Sequence, residues 1–568
     1  MNLQSHWRGR ERFVVFDADW DGGARFAAWV QAWRADPQRP AHLHVIAIAR
    51  GELPGFRRVL QPDQAITLDL LHPLPHAPLE AALAQLAARF DAVRLPALED
   101  AGSGLARALA RLLAQGAVLH ADGLSARQTA ALAATGWVFG GDGAQSAHYA
   151  SRKPFAASAP VPERRAIVIG AGLAGAAASE RLCARGWDVT LVERHPQAAM
   201  EASGNLAGIT MPLLSKDDNI ASRLSRAAYL FALDYWQRLG GVGAAIEGGR
   251  GGVLLVAKDA AHAGLQRATA CARSLPPWYA EWFDSDAAGA RFGALAPHGA
   301  WLFPQGGWMR PASACQAMLD ACGPALQRRF GVGSVGLERI GDEWRVCDSG
   351  NATIAQAPTV IVANGVGASQ LAQAAFLPLA RVRGQVTHLA AQALPELNPD
   401  LHQNLDPGPG LVLCREAYLT PAFGGVRSAG ASYDDDDDPA LRASSQQQNL
   451  DKLRSMLGGS ILNEAAFGVD APLRGRVGFR SVAPDRLPLV GAVPDPAFAV
   501  GAERLRELPR QRGLHALLGY ASRGLTWAPL AAELLAASLE GEPLPLEASL
   551  AAAIDPGRFQ LRARRGQQ

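Results

Sequence analysis

Cysteine is scarce. The 568 residues hold six, at Cys183, Cys271, Cys315, Cys322, Cys347 and Cys414, and no two form a C-x-x-C pair. That spacing gives no support to a zinc ribbon or a dithiol redox motif. Nor is there a His/Cys/Asp cluster at ligand spacing, so no metal is expected. The first residues are polar and arginine-rich, with no apolar leader. Scattered thiols without such a leader fit a reducing cytoplasm, which is the expected location. No stretch approaches the 18 or so uncharged apolar residues of a membrane helix, so no membrane is expected as a partner. Charge of one sign is also missing. Fifty-five Lys and Arg stand against 53 Asp and Glu, a net charge of +2. No overall basic field announces nucleic acid, which leaves only a local basic face for such a partner. The one low-complexity run is five aspartates, residues 434–438. It reads as a solvated acidic loop that should face away from phosphate.

Apolar residues are plentiful, at 49%, and suffice for large cores. The length exceeds one ordinary domain. A first block, residues 1–150, opens with the strand-like Phe13-Val14-Val15-Phe16, continues with a helical stretch over residues 24–34 and returns as a strand over 43–48. Strands alternating with helices predict an α/β layer. Residues 151–163 are rich in Pro, Ser and Ala and read as a linker. A second block runs from residue 164 nearly to the end at 568 and contains no internal repeat.

The second block opens on Ala166-Ile167-Val168-Ile169, a continuous apolar run of the kind a buried parallel strand needs. Gly170-Ala171-Gly172-Leu173-Ala174-Gly175 follows at once, then a helical stretch, then a second strand that ends at Glu193 and Arg194. Each glycine has a reason. Gly170 permits the tight turn, Gly172 lets backbone approach a pyrophosphate, and Gly175 lets helix and strand pack closely. The phosphate then sits on the helix N-terminus, where N–H groups and the dipole favour an anion. Glu193 stands where a carboxylate binds ribose hydroxyls. The pattern is a dinucleotide-binding fingerprint, and by itself it does not separate FAD from NAD.

Later segments favour FAD. Ala202-Ser203-Gly204-Asn205 with Gly208 resembles the segment that runs beside the flavin in D-amino-acid-oxidase-like flavoproteins. Gly519-Tyr520-Ala521-Ser522-Arg523-Gly524-Leu525-Thr526 resembles that family's turn into a helix whose N-terminus faces the flavin ring. A positive dipole end there would stabilise a reduced, anionic flavin. Asn364 and Gly365 are assigned to the same cofactor site. The segment Gly475 to Gly491 is similar to one in glycine oxidase and its relatives, where an arginine pairs the substrate carboxylate. By position that role falls to Arg480, whose planar fork suits a carboxylate.

Further segments are similar to the MnmC family of bifunctional tRNA wobble-uridine modification proteins. They are Pro212-Leu213-Leu214-Ser215-Lys216, Phe303-Pro304-Gln305-Gly306-Gly307-Trp308, Arg383-Gly384-Gln385-Val386 and Asp555-Pro556-Gly557-Arg558-Phe559. The resemblance covers essentially all of the second block. It implies a Rossmann-like, D-amino-acid-oxidase-like FAD domain, with FAD-binding parts over about 164–260, 320–385 and 475–550. An inserted α+β substrate part would occupy about 261–319 and 386–474. It implies tRNA as partner and oxidative removal of the carboxymethyl group of 5-carboxymethylaminomethyl-(2-thio)uridine, leaving 5-aminomethyl-(2-thio)uridine. Lys216, Tyr418 and Arg383 are further candidate pocket residues. Lys216 could assist flavin oxidation by O₂ as a nearby positive charge.

The same family has a first domain of Rossmann-like methyltransferase type that uses S-adenosylmethionine. Here the frame is present. Phe26-Ala27-Ala28-Trp29-Val30-Gln31-Ala32-Trp33-Arg34 resembles the family's N-F-x-x-x-W-x-A-W-R helix. The cofactor loop departs from the family pattern. E-x-G-x-G-x-G stands here as Asp17-Ala18-Asp19-Trp20-Asp21-Gly22-Gly23. Asp19 and Asp21 put bulk and negative charge where backbone should approach the cofactor. The expected ribose-binding acid is Ala49, and the family's L-D-G-F-A-P segment is missing near residues 91–98. S-adenosylmethionine is therefore not expected, and the domain reads as structural or as an aid to tRNA binding. Three other readings remain open. They are a fully bifunctional enzyme, an amine or amino-acid oxidase acting on a free metabolite, and a tRNA-binding flavoprotein without turnover. Candidate phosphate contacts are Arg8, Arg10 and Arg12; Arg504, Arg506, Arg510 and Arg512; and Arg562, Arg564 and Arg565. Oligomeric state is not legible.

Overall fold

The computed structural model describes residues 3–51, 53–74, 77–97, 103–141, 145–151, 161–391, 410–457, 473–498 and 502–565. Most of the expected linker, residues 152–160, and the side chains of Arg564 and Arg565 lie outside the described residues. The chain divides into two compact units, residues 1–162 with 534–552, and residues 163–533 with 553–568. The sequence reading left residues 534–552 in the second block. They group with the first unit, where Leu544 N donates to Ala87 O and Arg58 Nη2 to Pro543 O. Among the described residues no helix is long and apolar enough to cross a membrane.

The first unit holds an eight-stranded sheet. Its central strands Ile66–His72, His42–Ile48, Arg12–Asp17, Phe90–Leu95 and Leu113–Ala121 run parallel. Antiparallel strands close both edges. Apolar residues pack on both faces, with Phe16 and Phe90 on one and Trp7, Phe13 and Trp33 on the other. This two-sided burial is why Phe13 to Phe16 read as an unbroken apolar run.

The second unit is built on a six-stranded sheet, in the order Leu326–Phe330, Asp188–Glu193, Arg165–Ile169, Thr359–Val362, Arg510–Leu518, Leu489–Pro494. All but the last run parallel. The helix Leu173–Cys183 has nine of its residues buried, as a helix covered on both sides must. Its two charged members, Glu180 and Arg181, bond to each other at 2.6 Å, and Glu180 also accepts from Tyr235 and Arg238. Burial of these charges is thus compensated.

A second, largely antiparallel sheet has eight strands. Its order is Glu281–Phe283, Ala300–Phe303, Val253–Val256, Val412–Cys414, Tyr418–Leu419, Val426–Gly430, Ala380–Ala390, Arg474–Val482. The sequence reading placed three of these strands, at 253–256, 380–385 and 475–482, in FAD-binding parts. The sheet gathers them with the substrate part, because a strand's partner is chosen by long-range pairing that local pattern does not encode. The helix Ala443–Leu457 packs on this sheet and buries Leu450, Leu453 and Leu457 with it.

Candidate active site

The glycine fingerprint forms a turn with no room for side chains. Gly170 has φ +104°, and a Cβ there would meet Asn364 Cα at 2.7 Å and Ala363 O at 2.9 Å. A Cβ on Gly175 would overlap the Gly170 carbonyl oxygen and stand 3.2 Å from Val168 Cγ1. A Cβ on Gly172 would stand 3.0 Å from Ser203 Oγ, which itself accepts from Leu173 N at 3.1 Å. Glu193, at the end of its strand, accepts from Ala171 N at 2.7 Å and from His195 N at 2.9 Å. It therefore braces the turn as well as standing beside it.

This turn lines a cavity of about 430 Å³. Its lining includes Gly170, Gly172, Leu173, Ala174, Glu193 and Arg194. Ala202, Ser203, Asn205 and Gly208 line it too, as do Asn364 and Gly365, with Asn364 beside Gly170. Gly519, Ser522, Arg523, Gly524 and Leu525 line it where the helix Gly524–Leu539 begins, and Gly524 lies against Leu173 of the fingerprint turn. Two helix N-termini thus open onto one cavity, and both favour negative charge. Three residues of the fingerprints do not line it. Ala171 and Thr526 are buried, and Gly175 acts through helix–strand packing.

Arg480 and Tyr418 also line the cavity. Val382 pairs with Arg480 across the two strands, and Gly384 lies two residues along on the same face. The Arg480 guanidinium rests where a Cβ on Gly384 would be, so only glycine leaves it room. Arg480 Nη1 donates to Ser432 O at 3.3 Å, and its guanidinium lies 4.2 Å from the ring centroid of Tyr433. Burial pushes the Tyr418 hydroxyl up to about 12. Burial also holds Arg523 below the ordinary arginine range. Its Nη1 donates to Met211 O at 3.3 Å.

Arg383 and Lys216 are not at the cavity. A strand's side chains alternate, so Arg383 faces away from Gly384 and is fully buried under the aspartate run. It donates to Asp434 Oδ2 at 2.8 Å, Asp438 O at 2.7 Å, Ala440 O at 2.6 Å and Gln385 Oε1 at 3.0 Å. Lys216 stands exposed in the turn before the helix Ile220–Arg238. The aspartate run is not simply solvated. Asp434 pairs with Arg383, Asp436 and Asp438 with Arg442, and Asp437 with Arg381. Replacing Arg383 by Met would strip the charged donor from Asp434, which keeps the Ser432 hydroxyl, and from the carbonyls of Asp438 and Ala440. The second unit should lose about 3 kcal/mol or more, read as a lower midpoint in thermal or urea unfolding. An unchanged midpoint would refute this clamp.

Two features escaped the sequence. Arg476 lies four residues before Arg480 on the same strand face. It donates to Asn205 Oδ1 at 3.0 Å, to Met200 O at 2.7 Å and to Glu201 O, fixing the segment beside the cavity. A Cβ on Gly204 would meet its Nη2 at 2.5 Å. Gly333, Ser334 and Val335, beyond the edge strand, also line the cavity, and only the glycine hinted at a turn. The basic groups are largely paired. Arg10 bonds Asp91, Arg12 bonds Glu542 at 3.3 Å, Arg510 bonds Asp555 at 2.9 Å, Arg512 bonds Asp342 at 3.0 Å and Arg562 bonds Asp485 at 2.7 Å.

The residues present fit FAD. Asn364 Oδ1, Ser481 Oγ and Tyr520 OH are buried, belong to cavity residues and have no hydrogen-bond partner among the described residues. Buried polar groups rarely stay unpaired, so a polar ligand is called for. A glycine turn on a helix N-terminus, with a carboxylate at the next strand end, suits a pyrophosphate and a ribose.

These features define an FAD-dependent oxidoreductase, and residues 165–538 match the family described as FAD dependent oxidoreductase. Two bacterial relatives share the whole chain. The tRNA 5-methylaminomethyl-2-thiouridine biosynthesis bifunctional protein MnmC of Burkholderia ambifaria is 39% identical, over 100% of this chain and 93% of that one. Its counterpart in Aromatoleum aromaticum is 38% identical, over 99% and 92%. The chain belongs to the MnmC family. Among solved structures, glycine oxidase from Geobacillus kaustophilus aligns at a TM-score of 0.56 and 18% identity, over 70% of this chain and 99% of that one. Iminodiacetate oxidase from Chelativorans sp. BNC1 aligns at 0.53 and 23%, over 67% and 96%. At these identities the likeness is one of fold.

Proposed function

We propose that the second unit oxidises the carboxymethylaminomethyl arm of a tRNA wobble uridine and releases its carboxymethyl group as glyoxylate. The observation that carries this reading is the Arg480 guanidinium seated over Gly384 inside the FAD cavity. A glycine-like carboxylate is the group a planar guanidinium holds best. The substrate comes from the relatives, whose names place them in 5-methylaminomethyl-2-thiouridine biosynthesis on tRNA.

FAD supplies the two-electron acceptor for the carbon–nitrogen oxidation. Water then adds across the carbon–nitrogen double bond, and the products are 5-aminomethyl-uridine and glyoxylate. Arg480 fixes the carboxylate and so sets which methylene faces the acceptor. Tyr418 stays a neutral hydrogen-bond donor at working pH, since its hydroxyl titrates at about 12. The half-buried Arg523 adds positive charge beside the helix that starts at Gly524. Together they favour negative charge beside that helix start. A neutral amine requires no side chain to remove a proton first.

The first unit, in this reading, does not methylate the product. Its cofactor loop is bridged by its own charges. Arg25 Nε donates to Asp17 Oδ2 at 2.9 Å, and Arg25 Nη1 lies 3.1 Å from Asp21. The Arg25 side chain also bonds Asp19 O. Arg94 bridges Asp17 at 3.3 Å and Asp122 at 2.7 Å. These groups do not fit an adenosyl cofactor, which needs open backbone at that loop.

The test uses purified protein and tRNA from cells lacking it, with and without S-adenosylmethionine, followed by nucleoside mass spectrometry. The expected product is aminomethyl-uridine in both samples. A methylated nucleoside in the second would overturn the reading of the first unit. No change with FAD-loaded protein would overturn the substrate.

A further inference from the structure

We infer that Tyr433 is the stacking platform for the nucleobase that carries the amine, an inference that rests on the tRNA reading above. Tyr433 lines the FAD cavity and yet is 63% exposed, so its ring is both at the site and open to an incoming group. One face of its ring is covered, by the Arg480 guanidinium at 4.2 Å. Its exposure leaves the ring accessible beside the arginine that holds the carboxylate. A substrate whose carboxylate reaches Arg480 carries its pyrimidine only a short arm away, and aromatic side chains are the usual platform for a base drawn out of its stack.

The ring is also held in place. Both neighbours of Tyr433 are fixed to the long strand Ala380–Ala390. Ser432 N donates to Gln385 O at 3.0 Å, and Ser432 Oγ accepts from Gln385 N at 3.0 Å. Asp434 and Arg383 exchange both backbone hydrogen bonds, at 3.0 and 3.1 Å. The Arg383 guanidinium holds the Asp434 side chain from beneath. A platform fixed in this way loses little conformational entropy on stacking.

The aspartate run that follows would seem to forbid a polyanion here. Four of its five carboxylates are engaged, Asp434 by Arg383, Asp436 and Asp438 by Arg442, and Asp437 by Arg381. Much of the repulsion is therefore cancelled at short range. The base can approach Tyr433 while the phosphates remain outside the loop.

The experiment compares two substrates on the FAD-loaded full-length protein. One is the nucleoside 5-carboxymethylaminomethyl-uridine. The other is iminodiacetate, a carboxymethyl amine without a base. Glyoxylate formation gives kcat/KM for each. In Tyr433→Ala the preference for the nucleoside should fall roughly 10- to 100-fold, through KM, with iminodiacetate little affected. Tyr433→Phe should keep the preference, because stacking needs the ring and not the hydroxyl. If Tyr433→Ala slows both substrates equally, the residue only supports Arg480 and the platform is refuted while the functional reading stands. If the wild-type protein oxidises iminodiacetate but not the nucleoside, the tRNA reading falls and the platform with it.

Discussion

Arg480→Met is expected to lower kcat/KM for the carboxymethylated substrate by roughly a hundredfold to a thousandfold. The guanidinium lies in the cavity against Ser432 O and the Tyr433 ring, above Gly384. Removing one partner of a desolvated, hydrogen-bonded charge pair costs about 2–5 kcal/mol, and each 1.4 kcal/mol is a factor of ten. Methionine is the informative substitute. It keeps apolar volume beneath the Tyr433 ring and does not crowd Gly384, so packing changes little. FAD content and the visible flavin spectrum should match the wild type. Arg480→Lys should recover only part of the loss, because an ammonium cannot form two parallel hydrogen bonds to a carboxylate. Steady-state glyoxylate release, with flavin content measured on the same preparations, decides the matter. A kcat/KM within threefold of wild type would remove Arg480 from the substrate site.

The dinucleotide turn was legible because its demands are local. Gly170 needs a positive φ and Gly175 a missing Cβ, and only glycine meets either, so the spacing carries the geometry. The place of Glu193 at a strand end was legible for the same reason, but its bonds from Ala171 N and His195 N were not. Arg383 was not, because its role depends on strand parity. Gly384 and Arg480 share one face, which turns Arg383 to the other, toward Asp434 and Ser445. Until Arg480 was known to rest on Gly384, either parity was open. Arg476 and Arg480 share parity and residue type, and only what lies opposite separates them. Arg476 meets the carbonyls of Met200 and Glu201, whereas Arg480 meets open cavity. In the first unit the aspartates were visible in the loop, but Arg25 as the side chain that bridges them was not. Its sequence position merely looked like the start of a helix. The grouping of residues 534–552 with the first unit was hidden for a different reason. It rests on Arg58, Ala87 and Gln85 meeting a segment more than four hundred residues away, and no local pattern encodes such a meeting.

Gly175→Ala is expected to yield a protein that does not retain FAD, a total loss of cofactor rather than a weakening. The atoms a Cβ would strike are backbone. It would overlap the Gly170 carbonyl oxygen and stand 3.0 Å from the Gly170 carbonyl carbon, inside the tight turn itself. No flexible side chain can swing aside, so the helix Leu173–Cys183 must move off the strand Arg165–Ile169. Overpacking of this kind costs about 1–3 kcal/mol in a well-packed core. The displaced part is also the helix N-terminus onto which the pyrophosphate would bind, so the strain and the lost site coincide. Gly172→Ala provides the contrast. Its Cβ would meet only Ser203 Oγ, at 3.0 Å, and that hydroxyl can rotate away at the loss of its bond from Leu173 N. The apoprotein of Gly172→Ala should therefore unfold close to the wild-type apoprotein, while its FAD affinity falls because a methyl group occupies the approach of the phosphate. Gly175→Ala should lower both. Flavin absorbance per protein after desalting reads the first quantity, and thermal unfolding of the apoproteins reads the second. If Gly175→Ala came through desalting yellow, helix and strand would have room that the Gly170 carbonyl denies them, and the cofactor would have to be held by the other lining segments instead.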